Sequence, residues 1–348
     1  MKVLINVPSL SLLGGVSNHF LGLENYWSCK FKYNTIGSRF RLNGIILLPF
    51  DFLAFMFNIL TFNPDLILLN PSLNPKAYYR DSLYLLIAKI FSKKVIVFFH
   101  GWDIEFEDKL NKSAQKKRYH KADAIIVLAK SFKNKLLSWG YQGDIFLTTT
   151  KVEEAMILDP LPQKNQKKIH LLFFGRIETK KGIFIALDAF KNLYKNNKNI
   201  TLEVVGSGSE LKTAKLYCKS NAIENVTFHG RLSGSELTDV LKKCHINIFP
   251  THHGEGMPTS VLESISFGHT IVTRPVGGLV DFFKDDKMGY FVQSLKPEDF
   301  EKAVVKLLEN SKHLSKIEKF NYKFAKKNFT SSVVAKQLEY YFSHVLSY

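Results

Sequence analysis

Residues 246–283 read INIFPTHHGEGMPTSVLESISFGHTIVTRPVGGLVDFF. Two short apolar runs, residues 246–249 and 270–273, bracket a glycine-containing loop and a stretch with apolar side chains at helical spacing, residues 258–267. Pro258 suits the first turn of that helix. Strand, loop, helix and strand in this order make one βαβ unit. Strands that are apolar almost throughout suit a parallel sheet covered on both faces.

The alternation extends outward from this unit. Upstream lie strands at residues 169–174, 201–205 and 226–229, with helices at 182–196, 210–221 and 234–243 between them. Residues 159–168, DPLPQKNQKK, have the composition of a linker. Before it the pattern repeats, with strands at 2–7, 65–69, 94–99, 124–128 and 144–147 and helices at 16–27, 75–91 and 131–139. The expected fold is α/β: two Rossmann-like, doubly wound parallel-sheet domains, residues 1–163 and 164–330, facing a central cleft. The stretch from 298 to 348 reads as helical and rich in Lys and aromatics, and the helix 331–348 is expected to pack back on the first domain. Ligands of open α/β sheets bind at the carboxyl ends of the strands. This favours an enzyme or a ligand-binding protein over a structural one.

Composition supports the same class. The chain has 348 residues, 45% hydrophobic and 23% charged, which excludes disorder and collagen-like structure. Charge is the unusual term, because 48 Lys+Arg against 31 Asp+Glu leaves +17. Residues 1–163 carry 20 against 13, a net of +7, and the remainder 28 against 18, a net of +10. A surplus of this size points to an anionic partner, whether nucleic acid, a membrane surface or a phosphorylated substrate. Cys29, Cys218 and Cys244 lack CxxC spacing and read as reduced thiols of a cytosolic protein. Residues 1–7 read as a strand running into Pro8, not as a signal peptide. The apolar run 45–62, IILLPFDFLAFMFNILTF, reaches the lower length limit for a membrane span. Pro49, Asp51 and Asn58 favour instead a short apolar segment followed by a buried or interfacial helix.

Several positions carry chemistry. Gly254, Gly256 and Pro258 set a tight loop, and Thr259-Ser260 open a helix whose first N–H groups lack intrahelical partners. Such an end accepts anions. Glu255 lies on the loop and Glu263 one turn into the helix, where both could hold the hydroxyls of a sugar nucleotide or stand as surface glutamates. Arg176 and Lys181 flank a strand-to-helix turn, placed to grip an anion or to form a solvated basic loop, while Lys180 reads as surface. Gly14-Gly15-Val16 opens a helix after the first strand. His100 ends an apolar strand just before Gly101, as a structural residue or a ligand contact. Asp103 could cap a helix or bind acceptor hydroxyls. His252 and His253 are adjacent on one loop, an unsuitable pair for a single ion, so no metal site is expected.

These residues together resemble the GT-B retaining glycosyltransferases of family 4. Glu255-Gly256-Met257-Pro258 through Leu262-Glu263 to Gly268 fits their E-G-x-P-x-x-x-L-E-x-x-x-x-G signature. Gly175-Arg176 with Lys181-Gly182, Val205-Gly206-Ser207-Gly208, and Phe228-His229-Gly230 fit three further family elements, and 122–127 followed by Ser131 is similar to the close of the first domain. The resemblance covers nearly the whole chain. It implies sugar transfer from a nucleotide-diphosphate donor, by base rate a UDP-sugar, to a hydroxyl of a glycan or lipid-linked oligosaccharide, as in bacterial surface polysaccharide (lipopolysaccharide or capsule) synthesis. It implies no cofactor and no metal, with Arg176 and Lys181 neutralising the departing diphosphate. It places donor contacts at Gly15, Val16, Gly175, Arg176, Lys181, Gly206, Gly230 and Arg231, and along Glu255, Gly256, Met257, Pro258, Thr259 and Glu263. Glu255 would fix the sugar, Glu263 the ribose, and His100 would approach the anomeric centre, with catalytic roles falling on Glu255, His100, Arg176 and Lys181. Gly14 and Asp103 would meet the acceptor. Closure of the two domains is expected to exclude water, and a departing phosphate oxygen to help take the acceptor proton.

A sugar-nucleotide 2-epimerase of the same fold, a nucleic-acid-binding basic protein and a non-catalytic binding subunit are the rival readings. The chain shows no RNP, KH or helix-turn-helix pattern, so no nucleic-acid partner is expected. Basic clusters at 116–118, 30–41 and 89–94, beside the apolar run 46–60, suggest a cytoplasmic protein docked peripherally on an anionic membrane leaflet.

Overall fold

Apolar runs in the first part of the chain pair in parallel as β1 (Lys2–Pro8), β2 (Lys30–Ile36), β3 (Leu66–Leu69), β4 (Lys94–Phe99), β5 (Ala124–Val127) and β6 (Asp144–Leu147), in the order β2-β1-β3-β4-β5-β6. The computed structural model describes residues 1–348 apart from residues 12, 13, 40, 41, 166 and 253. Helices α1 (Gly15–Leu23), α2 (Gly44–Phe62), α3 (Pro75–Ile90), α4 (Ile104–Asn111) and α5 (Lys130–Ser138) follow successive strands. A second parallel sheet holds β7 (Ile169–Phe174), β8 (Ile200–Val205), β9 (Val226–Gly230), β10 (Ile246–Phe249), β11 (Thr270–Thr273) and β12 (Gly289–Phe291), in the order β12-β11-β10-β7-β8-β9. Its helices are α6 (Ile183–Asn196), α7 (Leu211–Ser220), α8 (Gly234–Lys243), α9 (Thr259–Ser266), α10 (Leu279–Phe282), α11 (Pro297–Leu308) and α12 (Ser311–Asn328). The last helix is α13 (Ser331–Leu346). Two parallel sheets covered by helices make the fold two Rossmann-like units.

The chain divides into a first unit of Met1–Lys151, Gly254–Met257 and Ser331–Tyr348 and a second of Val152–His253 and Pro258–Thr330. In the first, Leu4, Ile67, Val95, Val97 and Ile125 project into one core layer with Phe55, Tyr84 and Leu136 of the covering helices. Strand alternation turns Phe98 to the opposite face, where His19 of α1 meets it edge-on at 5.7 Å. Helix α13 ties this unit together through several contacts. Glu339 accepts from the Ser28 and Cys29 amides at 2.7 and 2.8 Å, and the Tyr341 hydroxyl donates to the Leu147 carbonyl at 2.7 Å. In the second unit, Leu171, Phe173, Leu202, Val204 and Ile248 pack against Ile183, Leu187 and Phe190 of α6 and Phe300 of α11.

Two local expectations are corrected. Residues 30–36, KFKYNTI, form β2, which the search for apolar runs passed over. This is an edge strand, and Lys30 and Lys32 on it serve the usual purpose of discouraging further pairing. Residues 45–62 are not a short segment plus a helix but one helix, α2, that passes through Pro49. Proline in a helix forfeits its bond to the carbonyl four residues back. Here that carbonyl is on Ile45, which is exposed, so water can replace the lost donor. Asp51 is wholly buried on the other side of α2, paired with Arg39 at 2.6 Å and accepting from the Gly37 amide at 2.8 Å. It ties the β2–α2 connection to the helix.

Candidate functional site

In the second unit the chain steps outward from β7 to β8 and β9, then returns to place β10 on the other side of β7. The connections leaving β7 and β10 therefore diverge at the carboxyl edge, the position where open α/β sheets bind ligands. The connection from β7 begins with Gly175-Arg176 and that from β10 leads to α9. They touch each other. The His252 amide donates to the Lys180 carbonyl at 2.9 Å, and Gly182, left-handed at φ +83, packs against the Pro250 carbonyl where a side chain has no room. A Cβ on Gly175 would lie 3.9 Å from the Ser260 hydroxyl, so the β7 turn borders the first turn of α9. Pro258 precedes that turn and offers no side-chain cap. The amides of a helix's first turn attract negative charge.

The two cations of the β7 turn differ. Lys181 is buried, at 7% exposure, whereas Arg176 is exposed and bonds Glu178 at 2.8 Å. Lys180 is exposed. Behind the turn, the Gly206 amide donates to the Gly230 carbonyl at 2.7 Å, joining the ends of β8 and β9, and Arg231 beyond them is exposed. Glu263 and Thr259 are half-buried on α9.

The first unit has its own reversal, between β1 and β3. Gly14 is the N-cap of α1, and its carbonyl accepts from the Asn18 amide at 2.9 Å. Among the described residues a Cβ on Gly15 would meet nothing within 4 Å at this helix start, which has Val16 in its first turn. His100 ends β4, with Nε2 3.1 Å from Asn70 Oδ1. The Asn70 amide nitrogen donates to the Asn6 carbonyl at 3.0 Å, which leaves Oδ1 as an acceptor. His100 therefore carries its proton on Nε2. Burial, with His19 beside it, holds the imidazole well below the ordinary histidine value. It is neutral at physiological pH and offers Nδ1 as an acceptor. The pH–rate profiles of the protein and of His100→Asn are accordingly expected to keep one shape between about pH 6 and 8, with only the height changed. A limb present in one profile and missing from the other would make His100 a titrating group.

Gly254–Met257 packs within the first unit at the end of β4. A Cβ on Gly256 would come within 2.8 Å of the His100 carbonyl, and one on Gly254 within 3.0 Å of the Trp102 carbonyl. Two glycines thus let the backbone carry Glu255, half-buried, to the strand end that bears His100. Met257 and Pro258 are buried. Asp103 is the N-cap of α4, accepting from the Phe106 amide at 3.1 Å. The capping role open in the sequence is the one its Oδ1 performs. Of the adjacent histidines, His252 is exposed and His253 lies outside the described residues. Among the described residues no group of three or more His, Cys, Asp or Glu could hold a metal ion.

Three residues at these positions escaped the sequence reading. Asn70 fixes the His100 tautomer. His19, one turn into α1, has its ring centroid 5.2 Å from that of His100, and among the described residues neither of its nitrogens has a hydrogen-bond partner. Burial, aided by Lys151, pulls it down to about 3. Lys151 is itself buried and packs against Gly22. Position after the Gly14-Gly15 turn was a signal for His19; nothing in the local sequence marked Asn70 or Lys151.

Residues 159–324 match the family model Glycosyl transferases group 1. The chain carries a group 1 glycosyl transferase domain. That domain holds both connections at the β7/β10 reversal. The chain is 28% identical over 203 residues to an uncharacterized glycosyltransferase of Methanocaldococcus jannaschii, covering 58% of this chain and 52% of that relative. It thus spans about half the length of this curated relative. Sucrose-phosphate synthase from Thermosynechococcus elongatus superposes with a TM-score of 0.80 at 14% identity, covering 100% of this chain and 99% of that one. Anabaena HepE in complex with UDP and glucose superposes with a TM-score of 0.74 at 14% identity over 99% of each chain. At such identity these neighbours establish the fold alone, which is GT-B.

Proposed function

We propose that the protein is a retaining, metal-independent glycosyltransferase of family 4, moving a sugar from a UDP-sugar to a hydroxyl of a glycan or lipid-linked acceptor in surface polysaccharide synthesis. The observation that carries this reading is the buried Lys181 in a turn that borders the first turn of α9. A fixed cation and aligned amides in a partly desolvated setting stabilise charge that grows on a leaving diphosphate. Arg176 adds a solvated cation, held meanwhile by Glu178. Glu255 binds sugar hydroxyls, Glu263 ribose hydroxyls, and neutral His100 accepts from the sugar. The Anabaena neighbour, whose structure is a complex with UDP and glucose, supports UDP as the nucleotide.

A panel of nucleotide-sugars, scored for nucleotide diphosphate release with and without glycan acceptors, tests the reading. Release with one uridine donor, and a melting temperature raised by UDP, is the expected result. Excess chelator is expected to leave the rate within about twofold, because side-chain cations and amides carry the charge that a bound metal would otherwise neutralise. Loss of turnover on chelation, restored by a divalent ion, would refute metal independence. Isomerised donor in the absence of acceptor would identify an epimerase instead.

A further inference from the structure

We propose that the joined outer faces of α2 and α3 form a docking surface for an anionic lipid bilayer. Along α2, Ile46, Phe50, Leu53, Phe57 and Leu60 recur at helical spacing and are 60–66% exposed, with Ile45 at 75%. The only charged side chain of α2, Asp51, is buried on the other face. On α3, Leu83, Leu86 and Ile90 repeat the pattern, and Ile90 is 79% exposed. The helices are neighbours, with the Phe52 and Tyr84 rings 4.6 Å apart, and both bury their inner faces in one core layer. Their outer faces therefore turn together away from the sheet. An apolar surface of this extent without internal charge marks an interaction site.

Charge around the surface selects the partner. At the C-terminal ends of the two helices, Lys93 bonds Asn63 at 2.6 Å and Lys2 reaches the Phe62 carbonyl at 3.4 Å, while Lys89 is paired with Asp123. At the other end of the α3 stripe, Lys76 is exposed and the Arg118 guanidinium lies 5.0 Å from the centre of the Tyr79 ring. Residues 30–94 contain nine Lys or Arg against three Asp. Two of those three, Asp51 and Asp81, are buried and paired with Arg39 and Arg80. The surface is thus an apolar floor framed by cations, the arrangement that sinks into acyl chains while its rim meets anionic headgroups. Although α2 is long and apolar enough to cross a bilayer, its inner face packs on the protein core, so it lies in the interface.

This inference does not depend on the transferase reading, and its test uses no turnover. The full chain is mixed with phosphatidylglycerol/phosphatidylcholine vesicles or with phosphatidylcholine alone and sedimented, in a salt series. Partitioning at least about tenfold stronger on the anionic vesicles, and weakened by salt, is expected. Phe50→Ser/Phe57→Ser should reduce it to background, and Lys76→Glu/Lys93→Glu should abolish the anionic preference. All four side chains lie outside the core, so the melting temperatures should stay near that of the parent. The second pair keeps the test decisive if the first fails to fold. A parent chain that stays in the supernatant, or binds without regard to phosphatidylglycerol, overturns the proposal. So does a dimer in light scattering that Phe50→Ser/Phe57→Ser dissociates, which would assign the face to a second copy.

Discussion

Lys181→Ala is expected to lower kcat/KM for nucleotide-sugar turnover by about 10²–10³-fold, the cost of removing one preorganised donor to a developing anion. Arg176→Ala should cost tenfold or less, because its guanidinium is exposed, screened by water and already paired with Glu178. The sequence offered the two as equals; burial separates them. A charge at 7% exposure acts through a lower dielectric than one at the surface, and its position is fixed by the turn before any ligand arrives. Removing it will also cost some stability, since a buried lysine makes contacts of its own. Two measurements separate that loss from the loss of charge. Affinity for UDP, measured by calorimetry well below the melting temperature, falls with the missing cation and is indifferent to a few degrees of melting. Lys181→Arg, which keeps the charge in a bulkier group, should recover part of the affinity. Full turnover by Lys181→Ala would show that no diphosphate is held at this turn.

The α/β alternation was legible because strands buried on both faces read as apolar runs, as residues 67–69 and 95–99 do in this chain. Legibility ended at the edge. In β2, Lys30 and Lys32 interrupt the pattern because that strand lies at the edge of its sheet. The end of α2 was legible from the end of the apolar run at residue 62, but its start was obscured by Pro49, whose cost depends on whether the Ile45 carbonyl can reach water. The positions of the loops were legible for a different reason. In a parallel sheet, each residue just after a strand lies at the carboxyl edge, so Gly175-Arg176, His100 and the 251–258 stretch could be placed by counting. Neighbour relations across the fold could not. Asn70 is thirty residues from His100, and only the packing of β3 beside β4 brings them together. Nor does sequence reveal that Gly254–Met257 packs with the first unit while Pro258 and α9 belong to the second.

Gly206→Val is expected to be the most destabilising single change near the site, costing more than about 4 kcal/mol or preventing folding. Two independent terms add. Gly206 stands at φ +139, where a β-branched residue is strained by about 1–3 kcal/mol. Its Cβ would also run into the Gly175 carbonyl oxygen, closer than any real Cβ contact, and that obstacle is backbone, which no rotamer change can clear. Relief requires either β8 or the β7 turn to move, and both are fixed: β7 and β8 pair in register from Ile169 to Phe174, and the Gly206 amide is bonded to the Gly230 carbonyl. Gly230→Ala is the control. It has a positive φ of +72 but nothing within 4 Å of its Cβ, so it should cost only about 1 kcal/mol, the price of a left-handed alanine. Denaturant melts of the two variants measure the contrast. The milder Gly206→Ala, if it folds, adds a functional consequence, because the carbonyl it displaces immediately precedes Arg176 and the turn that holds Lys181. It should weaken UDP binding well beyond its loss of stability, whereas Gly230→Ala should not show that excess from turn displacement. A Gly206→Ala protein with parental stability and parental UDP affinity would mean that the two βα turns are not locked together, and that the site owes its shape to something other than this close approach of backbones.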